Sequence, residues 1–298
     1  MVTGVTGLGP VRETITGTRP GKALARRFVA GDTLDEAVAV ARTLNADGFQ
    51  VSLDLLGEEV HDKETALAAV DRYLECLDRI ATERLDANIA VKPTHLGLAV
   101  AEELAADSIA RLAIRASEVG TTVTIDMEDS RYTGGTVDMY ALAQEEHGNL
   151  GLALQACMKR TPADLERLIP LGGHIRLCKG AYLEPPEVAL TTKRQISIAY
   201  ADQLRSLMAS SGVMPAIATH DDELIELAVE LAASRTGPFE FQMLYGVRPD
   251  LQRRLVAEGF PLRVYLPFGS EWYPYLTRRL AERPANTWFF VRALLGGR

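Results

Sequence analysis

What most constrains this chain is a repeated alternation of short apolar runs with longer amphipathic segments. The first full unit pairs an extended run, Phe49–Asp54, with a helical segment over Glu64–Leu85, where Leu67, Val70, Leu74, Leu77 and Ile80 recur at helical spacing. Seven more units follow: Asn88–Val91 with Leu98–Val119, Thr121–Ile125 with Val137–Glu146, Leu150–Leu154 with Pro162–Ile169, His174–Leu177 with Glu187–Ala209, Pro215–Ala218 with Glu223–Ala233, Phe239–Gln242 with Pro249–Glu258, and Leu262–Leu266 with Tyr273–Glu282. Upstream, Lys22–Ala30 reads as a short helix, and Asp32 or Thr33 caps the next, with Glu36 in its first turn. Strands separated by helices pair in parallel, and eight such units predict closure into a (βα)8 barrel of the TIM type. An open doubly wound sheet would carry a glycine fingerprint after its first strand, and Leu53-Asp54-Leu55-Leu56-Gly57-Glu58 has none.

Length agrees with one barrel: the chain has 298 residues, and such barrels typically need about 250. Residues 1–21, rich in Gly and Thr, read as a flexible leader, and 22–298 as a single barrel domain. The net charge of −8 and the lack of a basic stripe argue against nucleic acid as a partner. Three cysteines, Cys76, Cys157 and Cys178, form no CxxC pair and fit a reducing, cytoplasmic compartment. No secretory signal is visible, and no apolar run reaches the roughly 18 residues of a membrane span.

In barrels of this kind chemistry sits where strands end. Lys92 ends the second strand, Asp126 the third and Gln155 the fourth. The fifth contains Arg176 and runs into Lys179-Gly180; Thr219-His220 end the sixth, Gln242-Met243-Leu244 the seventh, and the eighth carries Tyr265. Any one of these is most simply a solvated loop residue, but a polar side chain from nearly every strand at one rim is not. On the last helix Glu282 lies three and four positions after Arg279 and Arg278 and can pair with either. Two adjacent guanidinium forks with one compensating acid suit a small carboxylate. His220 has no HxH partner, so no metal site is expected, and Asp126, Glu128 and Asp129 lack a supporting histidine cluster.

At these residues the sequence resembles the proline dehydrogenase family, including the dehydrogenase half of bifunctional proline-utilisation proteins. The matching segments are Ile175–Tyr182, Ala218–His220, Phe239–Gly246, Val264–Gly269 and Tyr275–Thr287; Arg27–Gly31 looks like the short monofunctional members. The resemblance implies a distorted barrel holding FAD at the C-terminal rim, with the last helix over it. It implies oxidation of L-proline to 1-pyrroline-5-carboxylate by hydride transfer to the flavin. Electrons would then pass to a quinone, with peripheral contact at the inner face of the cell membrane, and a separate dehydrogenase would take the product. By position, Arg278 and Arg279 look like the carboxylate clamp, and Lys92 like a third cation paired with Glu282 or the substrate. Tyr265 would pack on the proline ring, Leu244 would form an apolar wall, and Asp126 would orient Arg278 or its neighbour. Gln155 and Arg176 would face the flavin ring, and Cys178, Lys179, Gly180, Ala181 and Tyr182 would line it. Thr191, Lys193, Thr219 and His220 would meet the pyrophosphate, ribose or adenine. Rival readings are a lysine Schiff-base aldolase built on Lys92 or Lys179, another flavin barrel such as a folate reductase, and a barrel that only binds.

Overall fold

The computed structural model describes residues 25–282, with side chains described as far as Thr277. The predicted leader and most of the clamp therefore lie outside it: residues 1–21 entirely, and the side chains of Arg278, Arg279 and Glu282. Eight parallel strands close in sequence order into a barrel. They are β1 (Gln50–Leu55), β2 (Ala87–Val91), β3 (Val123–Ile125), β4 (Leu150–Gln155), β5 (His174–Cys178), β6 (Met214–Ala218), β7 (Glu240–Leu244) and β8 (Leu262–Phe268). The helices are α1 (Leu34–Ala46), α2 (Lys63–Glu83), α3 (Glu102–Glu118), α4 (Ser130–His147), α5 (Thr161–Leu168), α6 (Lys193–Ala209), α7 (Asp222–Ala232), α8 (Pro249–Ala257) and α9 (Trp272–Glu282).

Helix boundaries follow local chemistry. Thr33 and Glu36 form a reciprocal capping box that starts α1. Asp129 caps α4, so that helix starts seven residues before the predicted Val137; Gly134-Gly135 hid the periodicity there. Conversely, α6 starts at Lys193, capped by Thr192, and not at Glu187. The residues before it form a loop tied to the end of β4, with Leu190 N–H donating to the Cys157 carbonyl at 2.8 Å.

The two faces of the strands differ in kind. Residues turned toward the helices, such as Ile89, Val91, Leu152, Leu154, Ile175, Leu177, Ile217, Phe241, Val264 and Leu266, are almost fully buried and build the apolar core. Removing one such side chain costs about 2–5 kcal/mol. The alternate positions face the barrel interior, which branched apolar residues usually fill. Here they are largely polar. In a lower tier, Asn88 donates to Thr124 Oγ1 at 3.1 Å, and Thr124 Oγ1 meets His174 Nε2 at 2.6 Å. Arg263 grips Glu240 through two bonds of 2.8 and 3.1 Å. Gly151 leaves the space that His174 fills in this tier, since a Cβ there would lie 2.0 Å from His174 Nε2 and displace the ring.

Burial pulls the His174 imidazole down to about 4, with Glu240 opposing and Arg263 assisting. An unfolded histidine takes its proton near 6.5, whereas the folded one stays neutral until about 4. Stability is therefore present above 6.5 and is lost as pH falls from 6.5 through 4. Urea unfolding should show His174 contributing up to about 3 kcal/mol of that acid loss. A His174→Gln variant should be less stable at pH 7.5 but should have a flatter stability profile over this window. An unchanged slope would show that His174 is not the group that titrates.

Candidate active site

Above the polar tier, at the C-terminal ends of the strands, a second tier carries four charges. Arg176 on β5 reaches across the interior to Asp126 beyond β3 through Nη1, and to Gln242 on β7 through Nε. Tyr265 on β8 donates its hydroxyl to Asp126 Oδ2 at 2.6 Å, and its ring lies 5.1 Å from the Arg176 guanidinium carbon. Lys92, one residue past β2, places its ammonium 2.8 Å from Asp54 Oδ1 on β1 and 3.7 Å from Asp126 Oδ2. All four charged residues are buried. Two cations thus face two carboxylates, and the set is neutral as a whole.

Burial and charge pairing compete at these groups. Burial pushes the Asp54 carboxyl up, and Lys92 beside it opposes the shift. Burial pulls the Lys92 ammonium down, but Asp54 and Asp126 together outweigh it and raise its pKa, so Lys92 is charged. Burial, followed by the Asp126 charge, raises the Tyr265 phenol well above its usual value, so Tyr265 is a neutral donor. Two buried atoms of this tier have no protein partner: Arg176 Nη2 and Asp54 Oδ2.

Toward β4 and β5 the rim is built from backbone. Gln155 is buried; its amide nitrogen donates to the Glu128 carbonyl at 2.9 Å and its oxygen accepts from Ala181 N–H at 3.1 Å. Gly180 has φ +123°, and a Cβ there would lie 2.3 Å from Cys157 Sγ. Beside it Cys178 donates to the Leu154 carbonyl at 3.4 Å, and burial pushes its thiol to about 12. The Lys179 ammonium is tied to Asp221 at 2.6 Å and Ser197 at 3.0 Å. Ala181 is exposed and Tyr182 half-buried at the start of the following loop. Toward β6 and β7, Thr219 Oγ1 accepts from Asp221 N–H at 3.2 Å, and His220 Nε2 accepts from Leu244 N–H at 3.1 Å, with Leu244 half-buried. Thr191 and Lys193 are exposed at the start of α6. Helix α9 packs over this rim: Trp272, Tyr273, Tyr275 and Leu276 form a cluster with Phe28, Val29 and Leu56, with Tyr265 against it.

Two predicted pairings involve side chains outside the described residues, and the described partners are others. Lys92 is paired with Asp54 and Asp126, and the side chain of Glu282 lies outside the described residues. Asp126 orients Arg176 and Tyr265, while Arg278, its predicted partner, again lies outside. The acidic run after β3 is divided among separate tasks. Glu128 takes the Thr94 hydroxyl and amide, and Asp129 caps α4. Among the described residues no group of three His, Cys, Asp or Glu could hold a metal ion. Asp54 was not predicted as a site residue, and Gln242 was read only as a strand end. A lone acid in an apolar strand run needs a counterion, and that was the available signal for Asp54.

Residues 37–292 match the family model described as proline dehydrogenase. Proline dehydrogenase 1 of Bacillus subtilis subsp. natto is 38% identical over 282 residues, covering 94% of this chain and 92% of the relative. The proline dehydrogenase of Deinococcus radiodurans is 34% identical over 282 residues, covering 92% and 91%. The fold matches a crystal structure of proline utilization A (PutA) from Bdellovibrio bacteriovorus inactivated by N-propargylglycine, with a TM-score of 0.82 at 22% identity. That match covers 88% of this chain but only 33% of the solved one, so this chain spans about a third of that protein.

The close approach at Gly180 gives a direct test. Gly180→Ala should destabilise the protein by about 1–3 kcal/mol through overpacking against Cys157, with added strain from the positive φ. Adding Cys157→Ala should recover only part of the loss, since the strain stays. Full recovery, or no loss at all, would mean that the Cys157 contact does not govern this turn.

Proposed function

This chain belongs to the proline dehydrogenase family, and from that premise we propose that it oxidises L-proline to 1-pyrroline-5-carboxylate, the first step of proline catabolism, with FAD as its cofactor. The observation that carries the reading is the convergence of Lys92, Asp126, Arg176 and Tyr265 on one barrel rim. The residues present fit a flavin. The buried Arg176 Nη2 lacks a protein partner and can donate to a ring acceptor. Gly180 leaves bare backbone beside Gln155, where a side chain would not fit. When bound, FAD supplies the hydride acceptor.

The chain's own residues bind and orient. Gln155 and Arg176 meet the flavin ring, and the segment Cys178–Tyr182 lines it. Thr191, Lys193, Thr219 and His220 take the phosphate and nucleoside end. Arg278 and Arg279, with Lys92 as a third cation, hold the proline carboxylate, and Glu282 balances the two arginines. Tyr265 packs on the proline ring and Leu244 walls its apolar side. Asp126 keeps Arg176 and Tyr265 in place, a positioning task. Excluding water beneath α9 strengthens each of these contacts. The electrons pass on to a quinone, which puts this otherwise cytoplasmic protein in peripheral contact with the inner face of the cell membrane. The product goes to a separate 1-pyrroline-5-carboxylate dehydrogenase. Among the described residues no helix is long and apolar enough to cross a membrane.

The lysine aldolase reading is disfavoured by the same geometry. A Schiff-base lysine must become a neutral amine, and Asp54 and Asp126 hold Lys92 charged.

Anaerobic addition of L-proline to the purified protein tests the proposal. A flavin spectrum, with bands near roughly 375 and 450 nm, should bleach. Arg278→Met or Arg279→Met should lower kcat/KM by roughly 10²-fold or more, chiefly through KM, with flavin still bound. A flavin indifferent to proline would point to another reductase of the same fold. A protein that takes up no flavin would sink the reading.

A further inference from the structure

Ser52, Asp54 and Asn88 each have one buried oxygen with no partner: Ser52 Oγ, Asp54 Oδ2 and Asn88 Oδ1. They are not scattered. Ser52 and Asp54 are two apart on β1, so they share the interior face, and Ser52 is the direct register partner of Asn88 on β2. Asp54 is the register partner of Ala90, whose small side chain occupies the interior between Asn88 and Lys92. All three polar residues are essentially inaccessible to solvent. Left unpaired, each of these atoms would keep its full desolvation penalty.

The chemistry of the three identifies what fits among them. Asp54 Oδ2 and Asn88 Oδ1 are acceptors, and the Ser52 hydroxyl is a donor with spare acceptor capacity. A water molecule has two protons to give and lone pairs to receive. One water donating to Asp54 and Asn88 and accepting from Ser52 satisfies every group. A cation would leave the Ser52 proton unused and would lie close to the Lys92 ammonium, 2.8 Å from the other oxygen of Asp54.

We propose that Ser52, Asp54 and Asn88 seat one internal water, and that Asp54, completed by this water, is the positioning residue that keeps Lys92 charged and in place at the rim. The assignment rests on the reading of Lys92 as a cation for the proline carboxylate. Lys92 is faced by Asp54 from β1, Tyr73 from α2, His95 from its own loop, Asp126 and Glu128 from β3 and its loop, and, beyond Asp126, by Arg176 from β5 and Tyr265 from β8. Asp126 is already engaged by Arg176 and Tyr265, and Glu128 by Thr94. Asp54 is therefore the carboxylate that Lys92 hydrogen-bonds directly, at 2.8 Å, with the Tyr265 hydroxyl a weaker neighbour. The water carries its second oxygen and links it to the Asn88–Thr124–His174 chain beneath. Without the Asp54 charge, burial pulls the Lys92 ammonium toward its neutral form.

Two measurements on the flavin-loaded protein test this. A crystal structure at a resolution that shows waters should place one within about 2.6–3.2 Å of all three oxygens. A gap closed by side chains, or filled by an ion with no serine donor, would overturn the water seat. For Asp54→Asn, the ratio of variant to wild-type KM for proline should be about tenfold at pH 7 and should grow about tenfold further by pH 9.5, while kcat stays within about threefold. Using the ratio cancels the titration of proline's own amine. A ratio flat with pH, or a loss confined to kcat, would overturn the role of Asp54. If Asp54→Asn does not fold, Ser52→Ala should show the same trend at about threefold, and a flat ratio there counts against the proposal equally. Wild-type protein that does not oxidise proline would remove the reading of the reaction. Wild-type protein that does, with variants indistinguishable from it, would remove only this assignment.

Discussion

The buried pair of Asp126 and Arg176 is the contact on which the barrel's interior depends. It joins the end of β3 to β5 across the interior, and Arg176 continues to Gln242 on β7. Gln242 in turn donates to Glu240, which Arg263 on β8 holds from the other side. A charge in such a place is tolerable only if it is paired and its remaining hydrogen-bonding capacity is met. The described interior meets the first condition, since Asp54, Asp126 and Glu240 are matched by Lys92, Arg176 and Arg263, and Asp54 Oδ2 and Arg176 Nη2 are the atoms of the rim tier whose capacity the protein leaves open. Removing one member would not merely delete a contact. It would leave a partner charged, buried and alone, which is the costly case.

Because the interior is given over to polar groups, cohesion has to come from elsewhere. It comes from the opposite faces of the same strands, where apolar residues pack under the helices. The period-two alternation of a strand separates the two duties residue by residue. Arg176 faces inward between Ile175 and Leu177, both fully buried in the outer core. A rigid outer layer holds the backbone, and the backbone holds the charges at fixed separations. Glycine recurs where neighbouring strands or loops leave no space, as at Gly151 against His174 and Gly180 against Cys157.

This division decides what could be read in the sequence. The outer layer writes a strong signal, since apolar runs and helical spacing repeat eight times, and the barrel and its strand order follow from them. Strand ends were legible as well: Lys92, Asp126 and Gln155 fall at, or one residue past, the ends of β2, β3 and β4. Partnership was not legible. Asp54 and Lys92 are 38 residues apart, and Tyr265 and Asp126 are 139 apart. Which acid meets which base is set by barrel closure and side-chain reach, and neither leaves a trace in local spacing. The helix starts failed for a different reason: Gly134-Gly135 interrupted the α4 pattern, while apolar residues in the loop before α6 imitated one.

Charge neutrality in the rim tier also says what the tier cannot do by itself. Lys92 and Arg176 are already balanced by Asp54 and Asp126, so an incoming carboxylate finds no excess positive charge among them. In the proposed reading the excess comes from another element, and α9 is laid across the rim, with its buried aromatic residues against Leu56 and Tyr265. Its last turns carry Arg278, Arg279 and Glu282, two positive charges and one negative. The surplus of one matches one carboxylate. In this reading the strands supply a neutral, preorganised floor and the helix supplies the charge that selects an anionic substrate, so a neutral ring of proline's size would find the apolar wall but no counterion.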